Sequence, residues 1–245
     1  MILKLFLLYL GSYLCGAIPF GVIFARAKGI DLMKVGSGNI GATNVKRALG
    51  TRLALVVFCL DVAKSAVPCC IARLVITHPL HSIPAQVFWF VAGLMAIAGH
   101  CFSPFLRFKG GKGVSTALGM VIGSAPLVAA SSMTLFVLLL LSTRYMSLAS
   151  VVAIAAATVF GWILPGQARE LVPLYLLLTV FVAYRHQKNI SRLIDGTEPR
   201  FSFRKDPPSP DGEDKSSDDG SSEPQKPAEN DEVQNELPSD DGNPP

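Results

Sequence analysis

Long stretches without charge are the feature that most limits how this chain can fold. A helix needs about 20 apolar residues to cross the 30 Å core of a bilayer. The longest run covers 28 residues and is either one tilted helix or two short helices broken around Gly123, Ser124 and Pro126. The apolar runs are residues 5–25, 53–76, 84–101, 114–141, 148–164 and 171–184. The pattern predicts an all-α integral membrane protein.

The charges divide the chain into two parts. Only 16% of residues are charged, whereas soluble domains have about a quarter. Residues 205–245 hold 13 of the 18 acids and 3 of the 22 bases, so this tail carries a net charge of −10 and the body one of +14. The tail has no apolar period and is predicted to be a disordered acidic cytoplasmic segment. Residues 1–204 are predicted to form the transmembrane domain.

The basic residues predict the topology, because lysine and arginine accumulate in the short cytoplasmic loops of membrane proteins. If the 28-residue run is broken into two helices, the chain crosses seven times and 15 of 18 bases lie on the cytoplasmic side. Lys64 is left out of this count because it lies inside an apolar run. Six crossings give 10 against 8. Seven transmembrane helices are therefore predicted, with the N-terminus outside. Four polar connections then share the cytoplasmic face: residues 26–52, 104–113, 143–147 and 185–204.

The partners expected from this charge pattern are anionic small molecules, lipid headgroups and the bilayer. Nucleic acid is not expected as a partner, since the bases lie between apolar runs and not on a soluble basic face. No cluster of His, Cys and carboxylates has the spacing of metal ligands, so neither a metal nor another cofactor is expected.

The first polar connection combines glycines with small polar side chains. Glycines let backbone N–H groups approach an anion, and an arginine can grip two phosphate oxygens. The alternative is a flexible turn. The residues expected to bind an anionic substrate are Ser37, Gly38, Asn39, Thr43, Asn44 and Arg47.

The second connection has the run Gly110-Gly111-Lys112-Gly113, preceded by Lys109, and it opens directly into an apolar helix. Free N–H groups and the helix dipole favour a phosphate at such a helix start. The run is not a Walker A loop, because Leu106 takes the place of the first glycine and Gly113 that of the Ser/Thr. Nucleotide hydrolysis is therefore disfavoured. The residues expected to bind the phosphate of a substrate are Lys109, Gly110, Gly111, Lys112 and Gly113.

The third and fourth connections supply hydroxyls, a histidine and a carboxylate. The third connection ends with Ser147, and Ser150 lies about one turn further on. In the fourth, His186 and Asn189 are three residues apart and share one helical face, and Glu198 could orient them. A histidine at a membrane edge is also often purely structural.

Two further groups have more than one interpretation. Asp61 and Lys64 lie three residues apart inside an apolar run, which predicts either a structural ion pair or a support for the inner site. Phe102, Phe105 and Phe108 recur every three residues among bases, which predicts either an interfacial anchor or contact with an acyl chain.

Together the connections match a family pattern. The chain reads S-G-N-x-G-A-T-N-x-x-R over 37–47, G-H-x-F-S-P-F-L-x-F-K-G-G-K-G-V over 99–114 and H-x-x-N-I-x-R-L-x-x-G-x-E over 186–198. With these motifs it resembles the bacterial acyl-phosphate:glycerol-3-phosphate acyltransferases over residues 1 to about 204. The tail has no part in the resemblance.

The resemblance implies a multi-pass enzyme of the bacterial inner membrane with its active site facing the cytoplasm. It would transfer an acyl group from acyl phosphate to the sn-1 hydroxyl of glycerol 3-phosphate and form lysophosphatidic acid for phospholipid synthesis. The hydroxyl would attack directly, with His186 or a phosphate oxygen of the donor accepting the proton. The catalytic residues implied are Ser37, Lys112, Ser150, His186 and Asn189; Arg47, Gly110, Gly111, Gly113, Ser147 and Glu198 would serve substrate binding.

Two alternatives use the same residues differently. A transporter of a phosphorylated small molecule would also have short, glycine-broken helices and cations at the inner face. Its polar residues should continue through the bilayer, whereas here only Asp61 and Lys64 lie deep. The acidic tail could also recruit a protein partner, which does not conflict with an enzymatic role.

Overall fold

The computed structural model describes residues 2–167 and 169–203, and the acidic tail predicted for residues 205–245 lies outside them. Within the described residues the regular structure is helical, as the apolar runs predict. Two short 3₁₀ turns, Pro104–Leu106 and Arg169–Leu171, lie between helices. The α-helices are α1 (Ile2–Ala17), α2 (Phe20–Ala27), α3 (Ala42–Leu49), α4 (Thr51–Val75), α5 (Ala85–Cys101), α6 (Val114–Ser124), α7 (Pro126–Thr143), α8 (Met146–Ile163), α9 (Val172–Arg185) and α10 (Gln187–Ile194).

Five helical segments of the described chain are long and apolar enough to cross a membrane. They are Ile2–Ala27, Thr51–Val75, Ala85–Leu106, Pro126–Thr143 and Met146–Ile163. The helices α6 and α9 have 11 and 14 residues. At 1.5 Å per residue they are about 16 and 21 Å long, shorter than the apolar core of a bilayer.

Prolines mark two breaks between helices. The run 114–141 is two helices, because α6 ends at Ser124 and Pro126 takes the first position of α7, where a missing N–H costs nothing. The run 5–25, predicted as the first crossing, lies within one segment of sufficient length, Ile2–Ala27, but its helix is not continuous, since α1 ends at Ala17 and α2 begins at Phe20. Pro19 cannot donate a helical hydrogen bond and disfavours helical geometry at the residue before it.

Two polar connections contain short helices that hydropathy did not predict. The first holds α3, which begins after Gly41 and buries Asn44, Val45 and Lys46. The last holds α10, whose hydrophobic and polar residues separate onto opposite faces. Both lie beside the ends of long helices, so they bring polar side chains of the connections against the bundle.

Small residues let the long helices cross closely. A Cβ atom on Gly99 of α5 would lie 2.0 Å from the carbonyl oxygen of Tyr13 in α1. A Cβ atom on Gly119 of α6 would lie 2.0 Å from the carbonyl oxygen of Val62 in α4. Close approach at small residues is typical of packing between membrane helices. These crossings hold α5 against α1 and α6 against α4.

Apolar side chains are exposed along the outer helices. Leu138 of α7, Val159 of α8 and Leu177 of α9 are each more than half exposed. In water such exposure on three long helices would be costly, whereas in lipid it has no penalty. The surface therefore fits a helical membrane protein.

Candidate active site

A cavity of about 340 Å³ lies where the polar connections meet. It is lined by residues from α3 and the loop before it, from the first half of α4, from the starts of α6 and α8, and by His100 of α5 and Phe136 of α7. The turn between α9 and α10 and the segment after α10 complete it. It brings together twelve residues predicted from sequence: Ser37, Asn39, Thr43, Asn44, Arg47, Lys112, Gly113, Ser147, Ser150, His186, Asn189 and Glu198.

The loop before α3 is held in shape by Asn44. Its amide nitrogen donates to the carbonyls of Leu32 and Val35 at 3.2 and 2.9 Å, and its Oδ1 accepts from the Ser37 N–H at 2.9 Å. Both amide protons of Asn44 are therefore used inside the loop. Asn44 shapes this wall of the cavity and does not offer the donor that the sequence suggested. Ser37 and Arg47 also line the cavity.

Lys112 is presented by a loop whose backbone is already paired. The N–H groups of Gly110 and Gly111 donate to the carbonyls of Cys101 and His100 at 3.0 and 3.1 Å. The carbonyls of the two glycines accept from Arg185 Nη2 at 2.9 and 2.7 Å. These glycines therefore cannot offer free N–H groups to a phosphate, and that part of the prediction is corrected.

The start of α6 remains suited to an anion. Gly113 has φ of 84° and precedes the first helical residue, Val114. Both residues and Ser115 line the cavity. The first N–H groups of a helix have no partner inside the helix and carry the positive end of its dipole. A phosphate in the cavity can therefore meet N–H groups at the start of α6 beside Lys112.

Glu198 holds three other side chains of the cavity lining. Its Oε1 accepts from the hydroxyl of Ser147 and from the amide of Asn189, both at 2.7 Å, and its Oε2 accepts from Arg192 Nε at 2.8 Å. The fixed amide turns Asn189 Oδ1 toward Lys112, whose Nζ donates to it at 2.5 Å. Burial acts to raise the pKa of Glu198, but these three hydrogen bonds outweigh it and the pKa lies below its ordinary value. The carboxylate is therefore charged at neutral pH.

Lys112 has a lowered pKa of about 8. Burial is the largest cause, because it disfavours the charged form. Glu198 acts in the opposite direction, while the positive charges of Arg192, Arg185 and Arg47 lower the pKa further. This crowding of cations around a half-buried lysine is the electrostatic setting of an anion-binding site.

His186 lies at the end of α9 and is buried. Its Nδ1 is 2.8 Å from the carbonyl oxygen of Val182. A carbonyl only accepts, so the proton is on Nδ1 and Nε2 carries a free lone pair. Burial and then the charge of Lys112 lower the pKa of His186 to about 4, against the opposing effects of the Val182 hydrogen bond and Glu198. The ring is neutral at pH 7 and can accept a hydrogen bond through Nε2.

Ser150 lies one turn into α8 and lines the cavity. Its hydroxyl donates to the carbonyl of Met146 at 2.7 Å, within its own helix. The oxygen therefore keeps its lone pairs for an external donor.

One wall of the cavity is apolar. Leu55 and Phe58 on α4, Phe136 on α7 and Met146 on α8 line it. Sequence reasoning did not single out these residues, because each lies in an apolar helix like many others. They place a hydrocarbon surface beside the cationic groups. Phe102, Phe105 and Phe108 do not line the cavity and are exposed, so contact with a substrate's acyl chain is not supported for them.

The segment after α10, residues 197–203, contributes Glu198, Pro199 and Phe201 to the cavity lining and is called the strap. The Phe201 N–H donates to the Arg144 carbonyl at 2.6 Å. Lys46 donates to the Ser202 carbonyl and its Nζ lies 4.3 Å from the centre of the Phe201 ring. Sequence reasoning missed Lys46 and Phe201, because neither position has a signal apart from its contacts in the fold.

The cavity lining does not include four predicted residues. They are Gly38, Lys109, Gly110 and Gly111. Lys109 is exposed on the surface. The Gly38 N–H donates to the Val35 carbonyl at 3.0 Å, so it closes a turn in the loop.

Replacing Glu198 by alanine should lower kcat/KM for acyl transfer about 10–100-fold. The change leaves three donors without their acceptor and frees Asn189 to turn away from Lys112, and misplaced groups of this kind cost up to about 100-fold. Steady-state kinetics on the purified variant measure the effect. Asp195→Ala is the matched control, because this exposed carboxylate accepts from Ser191 at 3.3 Å and does not line the cavity. Equal activity of both variants would contradict the role given to Glu198.

Fold and site together define a class of protein. The chain is a helical membrane protein whose cavity has cations and a helix start on one side and an apolar wall on the other. Such a cavity suits a molecule that carries a phosphate and a hydrocarbon chain.

Comparisons with known proteins agree on one family. The family model for glycerol-3-phosphate acyltransferase matches residues 6–196. The glycerol-3-phosphate acyltransferase of Geotalea daltonii is 42% identical over 194 residues, which are 79% of this chain and 96% of that protein. The one from Aquifex aeolicus is 41% identical over 199 residues, 81% of this chain and 100% of that protein. The chain belongs to the glycerol-3-phosphate acyltransferase family, as its motifs predict.

Solved structures agree with this assignment. The crystal structure of PlsY, an integral membrane glycerol 3-phosphate acyltransferase, in its glycerol 3-phosphate form is 38% identical, with a TM-score of 0.75. The alignment covers 81% of this chain and 96% of that one. The lysophosphatidic acid form of the same protein gives 37% identity and a TM-score of 0.73.

Proposed function

We propose that this chain transfers a fatty acyl group from acyl phosphate to the sn-1 hydroxyl of glycerol 3-phosphate and releases lysophosphatidic acid and inorganic phosphate. The observation that carries the proposal is Lys112, held on Asn189 beside the start of α6, with Arg47 lining the same cavity. The PlsY structures were solved in glycerol 3-phosphate and lysophosphatidic acid forms. Those molecules are the acceptor and the product of the proposed reaction.

Both substrates carry a phosphate, and the donor also carries a long hydrocarbon chain. The cationic side of the cavity suits the two phosphates, through Arg47, Lys112 and the start of α6. The apolar wall from Leu55 and Phe58 to Phe136 suits the first part of the acyl chain. We therefore place the acyl carbonyl between these two sides, near His186.

The reaction needs alignment more than covalent catalysis, because acyl phosphate is already activated. The acceptor hydroxyl attacks the acyl carbon, the carbon–oxygen bond to the phosphate breaks, and the hydroxyl proton ends on the departing phosphate. His186 Nε2 accepts a hydrogen bond from the hydroxyl and orients it. With a pKa of about 4, His186 is a weaker base than a phosphate dianion, whose second pKa is about 6. Lys112 balances the charge that develops on the leaving group.

The same proposal includes seven crossings, an external N-terminus and a site on the cytoplasmic side of the bacterial inner membrane. Its support is that all four polar connections line one cavity, in agreement with the count of basic residues. The short helices α6 and α9 would cross with the bilayer thinned or with their flanking residues in the interface. The domain boundary near residue 204, with the acidic segment beyond it as a cytoplasmic tail, also remains a proposal.

The test is acyl transfer by the detergent-purified chain with glycerol 3-phosphate and three donors in parallel. We expect lysophosphatidic acid acylated at sn-1 from palmitoyl phosphate, without added metal, and none from palmitoyl-CoA or palmitoyl carrier protein. Product from the thioesters alone would overturn the donor assignment. If folded protein formed no product from any donor, the enzymatic proposal would fail, and transport of glycerol 3-phosphate into proteoliposomes would be measured next.

A further inference from the structure

A buried group of three polar side chains, Asp61, Lys64 and His100, has no part in the reaction steps described above. Lys64 and Asp61 of α4 form the predicted ion pair, with Lys64 Nζ 2.7 Å from Asp61 Oδ1. Lys64 Nζ also lies 2.7 Å from His100 Nδ1 and 3.1 Å from the Ile18 carbonyl oxygen. The three protons of the lysine thus each have an acceptor. All three side chains of the group are at most 5% exposed.

The break at Pro19 explains why this group can form. Val22 donates to the Pro19 carbonyl and not to that of Ile18. The Ile18 carbonyl accepts from the Phe20 N–H at 3.2 Å and uses its second lone pair for Lys64. The carbonyl of Ala17, at the end of α1, accepts from the Ser103 hydroxyl at 2.6 Å. The helix break therefore anchors both Lys64 and the beginning of the loop that leads to Lys112.

His100 connects this group with the loop itself. The His100 carbonyl accepts from the Gly111 N–H at 3.1 Å. The ring packs so closely on Gly111 that a Cβ atom there would lie 2.1 Å from His100 Nε2. On the other side Arg185 holds the carbonyls of Gly110 and Gly111. The loop before Lys112 is thus held by both His100 and Arg185.

A buried ion pair inside a membrane helix is expensive and gives little net stability. Two hydrophobic residues would fill the same place at lower cost. The position of the pair, with Asp61 and His100 both reaching the cavity lining, argues for a role at the site. This role differs from binding, because Lys64 is not among the residues that line the cavity.

We propose that Lys64 is a positioning residue that, through His100, fixes the loop at Gly111 and so sets Lys112 against Asn189. The inference rests on the proposed function, since it concerns how Lys112 acts in acyl transfer. Asp61 holds the lysine in place, and the lysine holds the ring. Without the pair the ring loses its partner on Nδ1 and the loop loses its support.

The test is a double-mutant cycle on kcat/KM with palmitoyl phosphate as donor. Asp61→Asn with Lys64→Met removes both charges, so no unpaired charge stays buried. We expect this pair of changes to lower kcat/KM about 100-fold in the parent chain, the loss that follows from misplacing a group near the reaction by about 1 Å. Lys112→Arg keeps a cation but not its placement. In that background we expect the paired change at Asp61 and Lys64 to lower kcat/KM by less than about threefold.

The controls separate positioning from loss of folded protein. Ser65→Ala changes the neighbouring buried side chain, which faces Gly93 of α5, and should leave kcat/KM unchanged in both backgrounds. If the paired change does not yield folded protein, His100→Asn takes its place, because it keeps the Asp61–Lys64 pair and removes only the ring against Gly111. Equal fold-losses in both backgrounds, or full activity of the variant used, would overturn the inference. An inactive parent chain would instead refute the proposed function.

Discussion

Replacing Lys112 by alanine should lower kcat/KM for acyl transfer about 10²–10³-fold, the usual cost of removing one group that stabilises developing charge. The Lys112 cation lies beside the start of α6 and is held by Asn189. Lys46 is the second lysine of the cavity lining among the described residues, and it donates to the Ser202 carbonyl of the strap. Kinetics on purified Lys112→Ala measure the loss, and Lys109→Ala on the same loop is the matched control. A Lys112→Ala enzyme within threefold of the parent would contradict the assignment.

The same lysine should give the reaction an alkaline limit. Because the Lys112 pKa is lowered to about 8, the cation is present below that pH and is lost as pH rises through it. We therefore expect kcat/KM, which reports the free enzyme, to fall above about pH 8. A bound phosphate favours the charged form, so the fall in kcat should lie at higher pH. Lys112→Arg should abolish the limit, because arginine stays charged.

Apolar length was sufficient to predict the helical fold and most of the helices. The break at Pro126 was predictable because the apolar run around it is longer than one crossing of the bilayer needs, and small residues precede the proline. The break at Pro19 was missed, because the apolar run around it has the length of a single crossing. Helix α3 was missed because it is short and amphipathic. Local hydropathy indicates how long an apolar segment is, but it does not indicate how the end of a helix packs.

The residues of the site were largely predictable, whereas their partners were not. Charge counting placed the polar connections together, and Lys112, His186 and Asn189 do line one cavity. The sequence identifies which groups can donate a hydrogen bond, but only tertiary contacts decide where each proton goes. Asn44 and Gly111 have the donors that sequence reasoning expected, and both use them within the protein.

The position of the strap also depends on tertiary contacts that the sequence does not indicate. Phe201 lies two residues after Pro199 and between Arg200 and Arg204, a context without helical or strand periodicity. Its place over Lys46 depends on the ring contact and on the hydrogen bond to Arg144. Glu198 was identified because the family motif ends on it, whereas the next residues had no motif to identify them.

His186→Ala should lower kcat about 10²-fold or more, because the acceptor hydroxyl loses the group that orients it. His186 is buried, and its Nδ1 proton is used by Val182, so only Nε2 faces the chemistry. A neutral ring of low basicity can accept a hydrogen bond from the hydroxyl without taking its proton. Orientation and general-base catalysis both predict a loss with alanine, so alanine alone does not separate them.

His186→Gln separates the two roles. A glutamine side-chain oxygen can accept a hydrogen bond near the position of Nε2, but it cannot hold a proton at neutral pH. If His186 only orients the hydroxyl, the glutamine variant should recover at least tenfold of the kcat lost in His186→Ala, an amount within the range that positioning supplies. Asn189→Ala, measured beside them, gives the loss caused by disturbing Lys112 from the same helix face. Glutamine and alanine variants equally inactive, with both still binding glycerol 3-phosphate, would identify His186 as the base, because general-base catalysis is lost equally in both.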